Sequence, residues 1–306
     1  MPIDVLLNMA GKIVLLIFFG YFLKKRGVIT EEMQKGLSNL LVAGVLPCSI
    51  LASANVEFSR EMGVNLGKVA LIALAYYILS AFTMTLLSRF LKIDDASRKI
   101  FITMSVFANN AFIGFPIVAE LFGDENVLFA VVFNIFYNLF MFTYGTMLLG
   151  RNGKISIKSI FNSPVTIASL CSVVLFLTPF RLPVFLQDTL NTVGNLTVPI
   201  SMMIIGCTLT GIKPSQILKD KYSYLVSALR LLIFPLAMFA AMKLLHMDTL
   251  AASVCVLMAA LPSGSLNVIL AEQYDCNPKY AARTVVQSML LMPFTLPLII
   301  LVINLL

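Results

Sequence analysis

The sequence predicts an all-α polytopic membrane protein: ten transmembrane helices in two five-helix repeats of inverted topology. Three observations predict it. First, 59% of the 306 residues are hydrophobic and only 12% are charged. Soluble domains run at about 45–50% apolar and about 25% charged, and so little polar surface cannot cover so large an apolar interior in water. Second, the apolar residues fall into ten runs of about 20 residues, the length that crosses about 30 Å of hydrocarbon as a helix. Third, a shift of 152 residues lays Leu46-Pro47 on Val198-Pro199 and Ala119-Glu120-x-Phe122 on Ala271-Glu272-x-Tyr274. A disordered chain, a disulfide-stapled secreted domain and an ordinary soluble enzyme are excluded. The runs lack the period-2 alternation of an outer-membrane barrel.

Taken in order, span 1 (5–23) follows Met1–Asp4 without a basic leader, and its length reads as a membrane helix rather than a cleaved signal. Span 2 (34–54) carries Pro47 and span 3 (66–88) ends at a basic connection. Span 4 (99–121) holds Asn109 and Asn110 in mid-membrane, followed by Gly114 and Pro116. Span 5 (126–149) closes the first repeat, residues 1–150. Spans 6 (158–178), 7 (186–210, with Pro199), 8 (223–245), 9 (249–273) and 10 (281–304) make the second repeat, residues 155–306. Span 9 reads Pro262-Ser263-Gly264-Ser265-Leu266-Asn267 where span 4 has its amides. Five spans per repeat is an odd number, so the second copy is inverted relative to the first. Such repeats are a signature of secondary transporters, with sites at the repeat interface near the midplane.

Lys and Arg set the orientation. The connections after spans 1, 3, 5, 7 and 9 carry sixteen of them, and the opposite side carries four: Arg60, Lys68, Arg181 and Lys243. This places the odd connections in the cytoplasm and both termini on the extracytoplasmic side of the cytoplasmic membrane. Short connections leave no room for a soluble catalytic or output domain. The net charge of +7 is therefore topological, and no basic stripe with interleaved aromatics points to nucleic acid.

Spans 4 and 9 are expected to break. Pro removes a backbone donor and clashes with the preceding turn, and Gly lowers helix propensity. A broken helix is tolerated in lipid only where protein or a watered cavity covers it. Two breaks at repeat-related positions point to discontinuous helices crossing at a site. The bland alternative is a pair of kinked packing helices with Asn and Ser hydrogen-bonded across the bundle. Pro47 and Pro199 read as matched kinks lining the same cavity. Broken-helix N-termini offer free N–H groups and a positive dipole end, which suits an anion. No acidic side chain lies deep in a span; Asp4, Glu120, Asp188 and Glu272 sit near span ends. Lys12 and Arg230, the bases within spans, are expected to snorkel to the nearer interface, and Glu120 and Glu272 to be solvated helix-end residues. His246 stands alone, and the five cysteines form no C-x-x-C pair, so no metal and no cofactor are expected. There is no phosphate-binding Gly-Lys-Ser/Thr loop, no H-E-x-x-H and no intramembrane Asp pair, so neither ATP-driven transport nor an enzyme is expected.

Leu46-Pro47, Asn109-x4-Gly114-x-Pro116, Ala260-Leu261-Pro262-x-Gly264 and Ala271-x-x-Tyr274 occur in this order within a ten-span frame. In this the chain resembles, over essentially its whole length, the auxin efflux carrier family, which includes plant auxin exporters and bacterial malate- and malonate-like acid carriers. The resemblance implies an elevator-type fold: a scaffold of spans 1, 2, 6 and 7, able to form a homodimer, and a moving transport domain of spans 3–5 and 8–10. It implies that spans 4 and 9 cross in that domain and that the organic anion binds beside the crossing. Asn109 matches the family asparagine of the first crossing, and Pro262 the proline of the second. The chain departs at Ala108 and Asn267, where relatives carry proline.

The function expected is a secondary carrier of a small organic anion, a carboxylate such as an auxin-like acid, malate or malonate, working in the bilayer by alternating access. Asn109, Asn110, Ser263, Ser265 and Asn267 would donate to the carboxylate. Gly114 and Gly264 would let backbone approach it, and Pro116 and Pro262 would keep the helices open. The alternatives are a sodium-coupled carrier like the bile-acid symporters and an anion channel.

Overall fold

A computed structural model describes residues 3–54, 59–150, 164–178, 180–210 and 220–306. The connection bearing Arg151, Lys154 and Lys158, the first residues of the sixth span, and Lys213 and Lys219 lie outside the described residues.

Helices and turns make up the structure, with no β-strand among the described residues. The helices are α1 (Ile3–Lys25), α2 (Glu31–Ser53), α3 (Arg60–Ser88), α4 (Asp95–Val106), α5 (Asn110–Phe122), α6 (Asp124–Leu149) and α7 (Pro164–Leu177). They continue with α8 (Val184–Gly194), α9 (Thr197–Leu209), α10 (Lys221–Leu244), α11 (Thr249–Ala259), α12 (Leu266–Gln273) and α13 (Pro278–Ile303). Among the described residues, six stretches are long and apolar enough to cross a membrane: α2, α3, α6, α8 with α9 over Val184–Cys207, α10 and α13. Shorter apolar helices are α5, α7 and α11.

Local chemistry fixes where the helices begin. The first turn of a helix leaves N–H groups without intrahelical partners. Thr30, Ser59, Asp94, Asp248 and Asn277 each cap one with a side-chain oxygen, accepting from Met33, Met62, Ser97, Ala251 and Tyr280. Asp220 does the same for Tyr222 and Ser223 at the start of α10. Several helices also contain a π turn, at Leu41–Val45, Asn110–Gly114, Met141–Gly145 and Leu229–Ile233.

The helices pack in two groups. In one, α1 lies against α9, and α2 against α7 and α8. In the other, α3 packs on α4 and α6, α10 on α11 and α13, α5 on α6, and α12 on α13. The α1–α9 contact brings the helices together backbone to backbone. A Cβ on Gly20 would stand 2.2 Å from the Met203 carbonyl oxygen, and one on Gly206 only 2.0 Å from that of Ile17. Small residues allow this approach, which replaces the hydrophobic drive that lipid does not supply between helices. Between the groups, Asn138 of α6 donates to Thr166 of α7 at 2.9 Å. Lys12 of α1 forms an ion pair with Glu120 of α5 at 2.7 Å, its Nζ donating to both carboxylate oxygens.

Described residues of three basic-rich connections meet at one end. Tyr222 donates to the Lys92 carbonyl at 3.3 Å, Arg283 pairs with Asp220 at 3.4 Å, and Asn277 donates to Ser97 at 2.8 Å. At the other end Lys243 donates to the Leu305 carbonyl. Helices α10 and α13 therefore run parallel.

Candidate functional site

The break in span 4 falls between α4 and α5, and that in span 9 between α11 and α12. The chain leaves α4 at Phe107 in an extended conformation. Ala108 then pairs with Ser263 as an isolated antiparallel bridge. Asn109 N–H donates to the Pro262 carbonyl at 2.9 Å, and Gly264 N–H to that of Phe107 at 3.0 Å. The two breaks satisfy each other's backbone where no helix does, as buried polar groups require.

Almost every carbonyl freed at the end of α4 is accounted for. Thr103 accepts from Phe107 N–H, and Met104 accepts from the Ser263 hydroxyl at 2.9 Å. Ser105 and Val106 accept from Arg230 Nη1 at 3.4 and 3.3 Å. Phe107 accepts from Gly264 N–H and from the Asn267 amide. On the α11 side, the Leu261 carbonyl accepts from Arg230 Nε and Nη2 at 3.1 and 3.0 Å. Arg230 also donates to the Tyr76 hydroxyl at 2.7 Å and lies 5.9 Å from the Phe234 ring centroid.

The expectation that Arg230 snorkels is overturned: the residue is fully buried, 0% exposed, with its guanidinium clamped on the ends of α4 and α11. No carboxylate pairs with it among the described residues. Hydropathy marks a lone base in a span without showing which face it takes. The π turn at Leu229–Ile233 sits at Arg230 itself, and helix position alone does not reveal it. Lys12 and Glu120 are likewise not free: they are partners, and Glu120 is 17% exposed. The side chain of Glu272 lies outside the described residues.

The predicted site residues divide by what their groups already do. Ser263 spends its hydroxyl on Met104 and its N–H on Ser288 at 3.1 Å. Asn267 spends its amide N–H groups on Phe107 and Gly264 at 3.0 and 2.9 Å. Asn110 donates to the Tyr77 hydroxyl at 3.2 Å. Asn109 has only a long contact to Ser265, 3.4 Å, and Ser265 is partly exposed. Gly264 is explained by the bridge, because a Cβ there would stand 2.6 Å from the Ala108 oxygen. Gly114 is explained by packing, because a Cβ would meet Leu261 Cδ1 at 2.7 Å. Pro116 lies in the first turn of regular helix after the π turn of α5. Pro47 and Pro199 lie in α2 and α9, and α9 packs against the Asn110–Gly114 turn of α5.

The helices α5 and α12 begin at the bridge. The N–H groups of Asn110, Ala111 and Phe112, and those of Ser265 and Leu266, carry no hydrogen bond among the described residues. Ala111, Phe112, Ser265 and Leu266 are partly exposed. Tyr77 and Phe107, stacked at 6.2 Å, and Tyr137 and Phe133 wall the crossing on the α3 and α6 sides. Cavities of about 550 Å³ (Arg60, Glu61, Val64, Asn65, Lys68, Asp248) and 360 Å³ (around Phe122, Asp248 and Asn304) open near the α10–α11 connection, and no crossing, Pro47 or Pro199 residue lines either.

Known proteins bear on this geometry. The profile of a family described as membrane transport protein matches residues 7–162 and 152–300. An uncharacterized transporter of Methanothermobacter thermautotrophicus is 28% identical over 292 residues, 94% of each chain. Uncharacterized transporters of Methanocaldococcus jannaschii (24% over 293 residues, 93% of each chain) and Escherichia coli (22% over 299 residues, 94% of each) are similar over the same extent.

Proposed function

The chain belongs to the membrane transport protein family, the family of the auxin efflux carriers, and on that premise we propose that it is a secondary carrier of a small organic anion. The observation that carries the reading is the meeting of two helix N-termini at the crossing. Free N–H groups of α5 and α12 stand there with no carboxylate hydrogen-bonded at the bridge. Unsatisfied N–H groups and positive dipole ends make such a place an anion site. Asn109, Asn110 and Ser265 contact the carboxylate. Ser263, Asn267, Pro262, Gly264, Gly114 and Pro116 form the frame that holds the N-termini in place.

In the same reading the chain is ten spans in two inverted repeats, 1–150 and 155–306. The helix pairings support this, since α3–α4 corresponds to α10–α11, and α3–α6 to α10–α13. Helices α1, α2 and α7–α9 are the scaffold, able to dimerise. Helices α3–α6 and α10–α13 are the transport domain, which carries the crossing past the scaffold to alternate access. The protein lies in the cytoplasmic membrane with its basic connections in the cytoplasm.

The test is charge movement by the purified protein in liposomes, against malate, malonate, succinate, lactate and indole acetate, with and without sodium or proton gradients. A saturable current or counterflow for one acid supports the carrier; a flux that does not saturate favours an anion channel. Silence in both assays removes the organic-anion reading. One observation favours sodium coupling as a second reading: the buried Oδ1 atoms of Asn110 and Asn267 have no donor. Sodium-dependent uptake distinguishes it.

A further inference from the structure

Arg230 carries an inference that rests on the anion-carrier reading and sharpens it. Four helix ends meet at the crossing. Each helix terminus carries about half an elementary charge, positive at the N-terminus and negative at the C-terminus. The N-terminal poles of α5 and α12 therefore bring about one positive charge, and the C-terminal poles of α4 and α11 about one negative charge. Left alone, these would cancel, and the crossing would have no preference for an anion. Arg230 sits on the negative poles. Its guanidinium bonds the carbonyls of Ser105, Val106 and Leu261, the last through two nitrogens at 3.0 and 3.1 Å. It is fully buried, so its charge is not dispersed into solvent, and no carboxylate pairs with it among the described residues. Arginine suits this position because it stays charged when buried and its planar fork bonds several carbonyls at once.

We propose that Arg230 is the positioning residue that makes the crossing selective for a single negative charge. It neutralises the C-terminal ends of α4 and α11, leaving the N-terminal ends of α5 and α12 as about one uncompensated positive charge. The substrate class is then a monoanion: a monocarboxylate, or a dicarboxylate with one group protonated. A dianion brings one charge more than the crossing balances.

The test is equilibrium binding to the purified full-length protein, with lactate, malonate and the neutral diamide of malonate as probes. R230Q keeps two N–H donors for the carbonyls and removes the charge; R230K keeps the charge and loses the fork. R230Q is expected to weaken lactate binding on the order of 100-fold, the effect of a unit charge over several ångströms at an effective dielectric of about 20. R230K is expected to keep most of the affinity. A merely structural role predicts that R230Q weakens the neutral diamide as much as lactate, because both would lose the same frame, and that equal loss overturns the inference. Lactate binding by folded R230Q at wild-type strength overturns the inference. If neither variant folds, the wild-type protein decides it. Malonate affinity should rise as pH falls through its second ionisation, following the monoanion, and tighter binding of the dianion overturns the inference. If the wild-type protein binds none of the acids, the carrier reading falls and this inference falls with it. If the wild-type protein binds while the Arg230 results go the wrong way, only this inference is lost.

Discussion

Gly264 has no room for a methyl group, because the Ala108 carbonyl oxygen occupies the place 2.6 Å from where its Cβ would be. The obstacle is backbone, which cannot rotate away. Gly264→Ala is expected to destabilise the protein by about 1–3 kcal/mol, as overpacking does, and to open the bridge; thermal unfolding in detergent checks it. Gly114→Ala meets only the ends of Leu261 and Met258, which can shift, so its loss should be smaller. Asn109 is the contrasting case. It is 5% exposed, and its one side-chain contact is long. Asn109→Ala should therefore abolish saturable transport and leave a folded, monodisperse protein. Unchanged transport kinetics in that variant would remove Asn109 from the site. At this scale the sequence names the special residues but does not divide them by role. Asn267 and Asn109 look alike as buried amides, and only the hydrogen bonds of Asn267 to Phe107 and Gly264 show that its donors are already taken.

Three prolines in these helices follow a π turn. Pro47 comes after Leu41–Val45, Pro116 after Asn110–Gly114 and Pro235 after Leu229–Ile233, each as the second residue of the regular helix that resumes. Proline has no N–H and its ring crowds the carbonyl four residues before it; the wider turn relieves the crowding without ending the helix. This is why Pro47 and Pro116 do not end α2 and α5. The true break at 107–109 comes from the antiparallel pairing with the other half. Helix starts are more local. Asp94 caps α4 by accepting from Ser97 N–H at 2.9 Å, and its hydrogen bonds with Ser97 hold its carboxyl below the usual carboxylate range. Asp94→Ala should lower stability by about 1 kcal/mol, as loss of an N-cap does. The lowered value fixes the sign of the pH effect. The contribution is complete above the ordinary carboxylate range and is lost as pH falls through the lower, folded-state value. Comparing the melting temperature of the variant and the parent across acid pH checks this, and a gap that widens as pH falls would contradict it.

The molecule as a whole is held in two groups of helices by unlike contacts. Within the α1–α9 pair the contact is backbone on backbone through Gly20 and Gly206, a geometry that does not slide. Gly206→Leu is expected to drive the helices apart and abolish the monodisperse fold, seen by size-exclusion chromatography. Between the groups, the Lys12–Glu120 pair is exposed on the lysine side, 55% against 17% for the glutamate, and can be broken at modest cost. If the transport domain moves past the scaffold as proposed, this pair favours one position. K12E should therefore alter transport turnover with little effect on stability, and K12E combined with E120K should restore it, measured by counterflow. Failure of the double exchange to restore turnover would show that the pair does not bias the motion.

The helical content and the two helix breaks, between α4 and α5 and between α11 and α12, are legible in the chain. Hydrophobic length, proline chemistry and the 152-residue offset are all local or periodic properties. Family membership is legible too, because it rests on the order and spacing of short motifs. Tertiary structure alone decided which groups answer one another across the crossing. That Arg230 is a buried clamp, that Lys12 meets Glu120, and that Ser263 and Asn267 are spent on the frame all depend on partners more than 100 positions away or in another helix. A residue's type shows what bonds it can make. The packing of distant helices determines which bonds are made, since a buried donor takes whatever acceptor the neighbouring helix presents.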